Sequence, residues 1–163
     1  MKRNLDAKLN GYLRDAHSME RNVQVMLESM ITTTDDPNIS NILRRHQRET
    51  EQHIERLEAR LEARGEGSST LKDTGAILGS FFKGLADVAR SDKAGKNARD
   101  CYVTEALEIA AYELLERLAQ RAGDEATAST ARANKADEEG MRDAIAANWD
   151  RFVDLVIEEH ASA

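Results

Sequence analysis

Two histidines and a glutamate share one face in the middle of the chain. His46, Glu49 and His53 stand at i, i+3 and i+7, so an α-helix turns all three to one side. Ile42, Leu57 and Leu61 lie on that side too, which predicts a buried face. Imidazole nitrogens and carboxylate oxygens on a buried stripe suit iron, manganese or zinc. Other segments set carboxylates on otherwise apolar stripes: Glu20, then Glu108 with Glu105 one turn before it, then Glu138 beside Glu139.

The elements that must carry these groups follow from hydrophobic spacing. Leu9, Leu13, Ala16, Glu20, Val23, Leu27 and Met30 recur every three or four residues, predicting a helix over about 5–31. Asp36 before Pro37 is a start signal and Gly65 a stop, so a second helix spans about 37–64. The short link makes these two an antiparallel hairpin. A third helix is expected over about 97–122, with Val103, Leu107, Ala110, Ala111, Leu114, Leu115 and Leu118 inward. Gly123 ends it. A fourth runs from about Asp124 toward Glu159 and is long enough that Gly140 or Asn148 could break it; its end, about 146–160, forms an extension. The stretch 65–96 is a crossover, with a short amphipathic helix expected over about 71–90. Residues 1–163 thus read as a single all-α domain. Two hairpins joined by a long crossover make a ferritin-like four-helix bundle.

Counting from the turns places the carboxylates along the bundle. Glu20 and Glu49 should sit level, roughly 17 Å from the first turn at about 1.5 Å per residue. Glu108 and Glu138 should sit level, roughly 21 Å from the second. Several buried anions repel one another and are costly to desolvate. Such a cluster must hold protons, pair with cations or bind metal, and no lysine or arginine falls on these stripes. The plainer alternative is that each glutamate stands at the rim with its carboxylate in water. Tyr112, four residues after Glu108, is placed to hydrogen-bond it.

Composition narrows the function. Of 163 residues, 33% are charged, 4% are aromatic and one is proline, which favours helix over sheet. A net charge of −7 opposes binding to nucleic acid or anionic membrane. No segment has the roughly 20 apolar residues of a membrane span. The single Cys101 excludes an internal disulfide and fits a reducing, cytoplasmic setting.

Three segments carry a family resemblance: Leu13-Arg14-Asp15-Ala16-His17-Ser18-Met19-Glu20, His46-Gln47-Arg48-Glu49-Thr50-Glu51-Gln52-His53-Ile54-Glu55-Arg56-Leu57-Glu58, and Glu105-Ala106-Leu107-Glu108-Ile109-Ala110-Ala111-Tyr112. The chain resembles the YciF/YciE-like bacterial stress proteins of the ferritin-like superfamily. That resemblance implies a cytoplasmic, often dimeric bundle with a dinuclear metal site related to that of rubrerythrins. By position, Glu20, Glu49, His53, Glu105, Glu108 and Glu138 or Glu139 would be the ligands. The chain departs from the Glu-x-x-His pattern: Glu49 is followed at +3 by Gln52, with His53 at +4, and Glu138 is followed at +3 by Met141. Two functions are therefore expected in competition. One is a stress protein whose one or two iron or manganese ions, or zinc, handle O2 or peroxide. The other is a metal-free interaction protein acting as a homodimer. His46 is expected to support the ligands rather than to be one.

Overall fold

The computed structural model describes residues 2–66 and 93–161. Five helices and no strand occur among them: α1 Lys2–Thr32, α2 Pro37–Ala63, α3 Lys93–Ala122, α4 Glu125–Ala146 and α5 Trp149–Ala161. The expected helix at 71–90 and most of the crossover lie outside the described residues.

Each helix end has a local cause. The Asp36 carboxylate accepts from the backbone N–H of Asn38 and Ile39 at 3.0 and 2.9 Å, just ahead of Pro37. Gly65 takes φ +78° and lets Glu66 N–H close on the Leu61 carbonyl at 2.9 Å, the Gly-terminated C-cap. Gly123 does the same after α3, with φ +73°. The expected break near Asn148 is present: α4 stops at Ala146, and the Asn148 carbonyl accepts from Phe152 N–H to start α5. Gly140 lies within α4 and does not interrupt it. The start of α3 at Lys93, rather than Asn97, is set from a distance. Glu159 of α5 accepts from Lys93 and Ala94 N–H at 3.0 and 3.1 Å, placing a carboxylate at the positive end of the helix.

Contacts fix the topology. In α1 and α3, Glu20 meets Tyr112 and Met26 meets Thr104. In α2 and α4, His53 meets Asp137, Arg56 meets Asn134 and Arg60 meets Thr127. Both pairs therefore run antiparallel, as do α1 with α2 through His17 and Glu58. It follows that α2 and α3 run parallel. This is the ferritin-like arrangement. The fifth helix packs on α3: Phe152 is buried, and a Cβ on Gly95 would meet Val156 at 2.9 Å.

The third helix is rotated from its expected orientation. Its buried face is Ala98, Cys101, Thr104, Glu105, Glu108, Tyr112, Leu115 and Ala119. Val103 and Leu114, expected inward, are 48% and 55% exposed. The inner face holds so many polar groups that the most apolar stripe of α3 is not its core stripe.

One cap also clamps the two hairpins together. Asp124 accepts from Thr127 N–H and hydroxyl at 3.0 and 2.7 Å and from Arg64 at 2.7 Å, with Arg60 at 3.2 Å. Burial works against its charge, but the Thr127 and Arg64 hydrogen bonds and the Arg60 charge hold its pKa down to about 2. Its stabilising effect is fully present above the unfolded carboxyl pKa of about 4. It is lost as pH falls from there through the folded value. Asp124→Ala is expected to cost about 2 kcal/mol at neutral pH, read by urea denaturation. The difference from the parent should shrink as pH drops from 4 to 2; a pH-independent difference would contradict the pairing.

Candidate metal centre

The four bundle helices bring Glu20, His46, His53, Glu105, Glu108 and Glu138 together, every one of them 0% exposed. On α2, His46 and His53 are seven residues apart, about 20° short of two full turns, so both face the core. Thr50 lies one turn from each and is equally buried. On α3, Glu105 and Glu108 sit on adjacent lines of the buried face. The single residue from α4 is Glu138; its neighbour Glu139 is only partly buried.

Glu138 is the centre. One carboxylate oxygen lies 2.9 Å from His53 Nδ1 and the other 3.2 Å from His46 Nε2. His53 Nδ1 is also 3.2 Å from Glu20, and His46 Nε2 is 3.3 Å from Glu105. These distances are short, yet the atoms are not aligned as hydrogen bonds. Glu20 Oε2, His46 Nε2, His53 Nδ1, both Glu108 oxygens, both Glu138 oxygens and Glu105 Oε2 have no hydrogen-bond partner among the described residues. They face a shared space. The ligand atoms fall into two groups, each with all members within 4.8 Å of one another: His46, Glu105, Glu108 and Glu138; and Glu20, His53 and Glu138. Each group can hold a metal ion.

The remaining polar atoms of His46, His53, Glu20 and Glu105 are satisfied. His46 Nδ1 is 3.1 Å from Glu49, and His53 Nε2 is 3.0 Å from Asp137. Arg56 donates to Asn134 at 2.9 Å and to Asp137 at 3.4 Å. Asn134 donates to the Tyr112 hydroxyl at 3.0 Å, and that hydroxyl donates to Glu20. Cys101 Sγ donates to Glu105 at 3.3 Å. Partners of this kind fix ring orientation and the nitrogen presented to a metal.

Without a metal, protons must resolve the charge. Two imidazoles carry at most two positive charges against four carboxylates, and no described lysine or arginine is buried. Burial pushes Glu108 well up, and the Glu138, Glu20 and Glu105 charges push the same way. Burial lifts Glu105 to about 7, with His46 opposing. Burial opposes charge on His53, but Glu138 and Glu20 overcome it and raise the ring to about 10. Burial also opposes the Glu138 anion, yet contacts with both imidazoles hold its pKa below the ordinary range.

Of the expected ligands, Glu20, His53, Glu105, Glu108 and Glu138 converge and Glu49 does not. Its side chain is 28% exposed and its carboxylate sits behind His46. Three residues beyond His46 is 300°, which leaves Glu49 about 60° off the inward line. The height count also slips: Glu20 meets His53, one turn beyond Glu49. In the second hairpin the count holds, with Glu113 opposite Lys135 and Tyr112 opposite Asn134. His46 thus occupies the inner place expected for Glu49. Tyr112 bonds Glu20 across the bundle rather than Glu108 on its own helix. Asp137, Asn134 and Thr50 escaped the sequence reading. Asp137 could have been found as the residue preceding Glu138 on the flank of α4 facing α2. His17, 7% exposed, pairs with Glu58 at 2.9 Å outside the cluster.

A cavity of about 410 Å³ lies beside the centre, near the α1–α2 turn, and is lined by Leu43, Cys101 and Met141 among others. Each of these three stands one helical turn from a cluster residue: His46, Glu105 and Glu138 respectively.

Fold and centre together define a ferritin-like bundle with a carboxylate–histidine core. A family model described as a domain of unknown function, DUF892, matches residues 4–156, and the chain belongs to that family. Its YciF-like character agrees with the resemblance of the three motifs. Among solved structures, a protein from Xanthomonas campestris pv. campestris is 22% identical over 96% of this chain and 99% of that one, with a TM-score of 0.79. The E. coli stress protein YciF is 18% identical over 98% of each chain, at 0.72. YcfI from Rhodopseudomonas palustris is 21% identical over 86% of this chain and 92% of that one, at 0.73. At these identities the likeness establishes the fold.

A buried carboxylate with no partner lowers the stability of the metal-free protein. Glu108→Leu, similar in bulk and without charge, is expected to stabilise the chelator-treated protein by roughly 1 kcal/mol or more. Urea midpoints compared at equal m-values test this. A destabilised variant would mean that Glu108 has a compensating partner.

Proposed function

We propose that the protein is a dinuclear metal protein that handles O2 or peroxide, with iron or manganese as the working ions. The observation that carries this reading is Glu108, fully buried with both oxygens unpartnered and aimed at the ligand atoms of His46, Glu105 and Glu138. His46, Glu105 and Glu108 would hold one ion, Glu20 and His53 the other, and Glu138 would bridge them. Bound iron or manganese would supply a redox couple and coordination positions for a small oxidant.

The chain's own residues prepare that chemistry. Glu49 and Asp137 hold the outer nitrogens of His46 and His53, leaving the inner nitrogens as donors. Tyr112 orients Glu20 by its hydroxyl, itself positioned by Asn134. Leu13, Val23, Leu57, Met141 and Leu115, all buried on the same stripes, exclude water and lower the local dielectric. The cavity beside Cys101 and Met141 gives a small apolar molecule such as O2 a place next to the cluster. The protein would work in the cytoplasm during stress. A homodimer would cover Val153 and Ile157, 57% and 62% exposed on α5.

A second reading, a metal-free interaction protein, draws on the same contacts. Glu138 between two imidazolium rings is already compensated. Glu108 is what that reading leaves unexplained.

Elemental analysis of protein purified from metal-supplemented cells separates the two. One to two equivalents of iron or manganese are expected. Glu108→Ala should weaken or lose the ion of the His46 group and bring the metal content to about one equivalent or less. Glu49→Ala should retain it with roughly 10- to 100-fold weaker affinity, as for a residue acting through a ligand. Zinc alone would remove the redox role. Metal-free protein under every condition, with folded variants, would establish the second reading.

A further inference from the structure

The geometry points to two ion positions with different duties: the His46 position is permanent, and the His53 position exchanges its ion and receives the exogenous small ligand. This rests on the metal reading above. The His46 position has four protein donors, one imidazole and three carboxylates, enough for a closed set. Glu105 Oε2 and both Glu108 oxygens are unpartnered there, so the protein offers that ion more oxygens than it needs. The His53 position has three donors, and one of them is shared. Glu20 gives one oxygen to the Tyr112 hydroxyl, which leaves Oε2 as its unpartnered donor. A three-donor site leaves coordination positions open.

The surroundings of the two positions differ in the same sense. The His46 position is backed by Cys101, whose thiol bonds Glu105. Among the described residues no tyrosine or asparagine donates to its carboxylates. The His53 position has the Tyr112 hydroxyl, the Asn134 amide behind it, and the Tyr112 ring edge-on to His53 at 6.1 Å between centroids. A small anion or peroxide bound there would compete with Glu20 for the one hydroxyl proton of Tyr112, whose oxygen Asn134 holds in place. The ligand class is therefore a small hydrogen-bond-accepting oxygen or nitrogen donor, for which azide is a usable probe.

Cobalt(II) titration into chelated protein tests this by absorption and calorimetry, independently of any activity. The first equivalent should bind at least tenfold tighter than the second. Azide should perturb the visible spectrum only once the second equivalent is present. His53→Gln should keep the first step and remove the second along with the azide response. Tyr112→Phe should change the second step and the azide affinity while leaving the first untouched. Two equal steps, an azide response complete at one equivalent, or loss of the first step in His53→Gln would overturn the division of duties and leave the metal reading standing. No cobalt binding by the parent protein would overturn both.

Discussion

Four buried carboxylates against two imidazoles is the constraint on which the interior depends. A helical bundle core is ordinarily closed by apolar side chains, and charge without compensation costs several kcal/mol per ion. Here Glu20, Glu105, Glu108 and Glu138 all stand in one layer. Glu138 is the keystone because it touches both rings, one oxygen to each. Glu20 and Glu105 each share one ring with it. Glu108 has none, so it must be neutral or bound to a cation for the layer to be electrically tolerable. The outward partners Glu49, Asp137, Tyr112 and Cys101 touch His46, His53, Glu20 and Glu105 respectively, with Asn134 behind Tyr112. The polar interior is thus organised in two shells around a single empty-handed carboxylate.

The layers on either side supply what this middle layer lacks. Toward one end lie Leu9, Leu13, Leu61, Ala119 and Ala128; toward the other, Met26, Leu27, Met30, Leu43 and Ile145, all buried. Burying each such aliphatic side chain contributes about 1.5–3 kcal/mol, which offsets the polar layer and keeps water from it. The caps are concentrated at the ends. Asp124 with Arg60 and Arg64 ties α2 to α4, and Asp36 with Arg151 ties the first turn to α5 at 2.8 Å. Low dielectric in the middle raises every electrostatic interaction there, so the same apolar layers that stabilise the fold sharpen the site.

Much of this was legible in the sequence, and the failures have one origin. The helices and their antiparallel hairpins followed from Asp36-Pro37, Gly65, Gly123 and the spacing of apolar residues. Glu20, Glu105, Glu108 and Glu138 stood out because they interrupted apolar stripes or lay beside them. On α3 the method of reading a core from its hydrophobic stripe failed. With Thr104, Glu105 and Glu108 inward, the apolar line through Val103 and Leu114 was left outside. On α2, Glu49 was preferred over His46 because a height count carries no angle. Between His46 and His53 the period brings a residue back almost to its starting direction, whereas three residues does not. Asn134 and Asp137 were invisible for a different reason: their roles are made by partners 22 to 84 positions away.

The placement of both histidines on α2 has a mechanical consequence. In the general ferritin-like pattern two helices each supply a Glu-x-x-His pair. Here α4 supplies a carboxylate alone, and the two rings, about 10 Å apart along α2, reach Glu138 from opposite sides. A shift of α2 along α4 therefore shortens one ring-to-Glu138 distance as it lengthens the other. The contacts that resist such a shift are those of Arg56 with Asn134, Arg60 with Thr127 and Asp124, and His53 with Asp137. All lie on the His53 side, toward the end where Asp124 caps α4. The His46 side is held by the centre's own ligand atoms and by Glu49 on the same helix. Among the described polar contacts the α2–α4 register is thus anchored directly on the His53 side, while Asp36 and Arg151 hold the start of α2 through α5 and the carboxylates of α3 complete the centre.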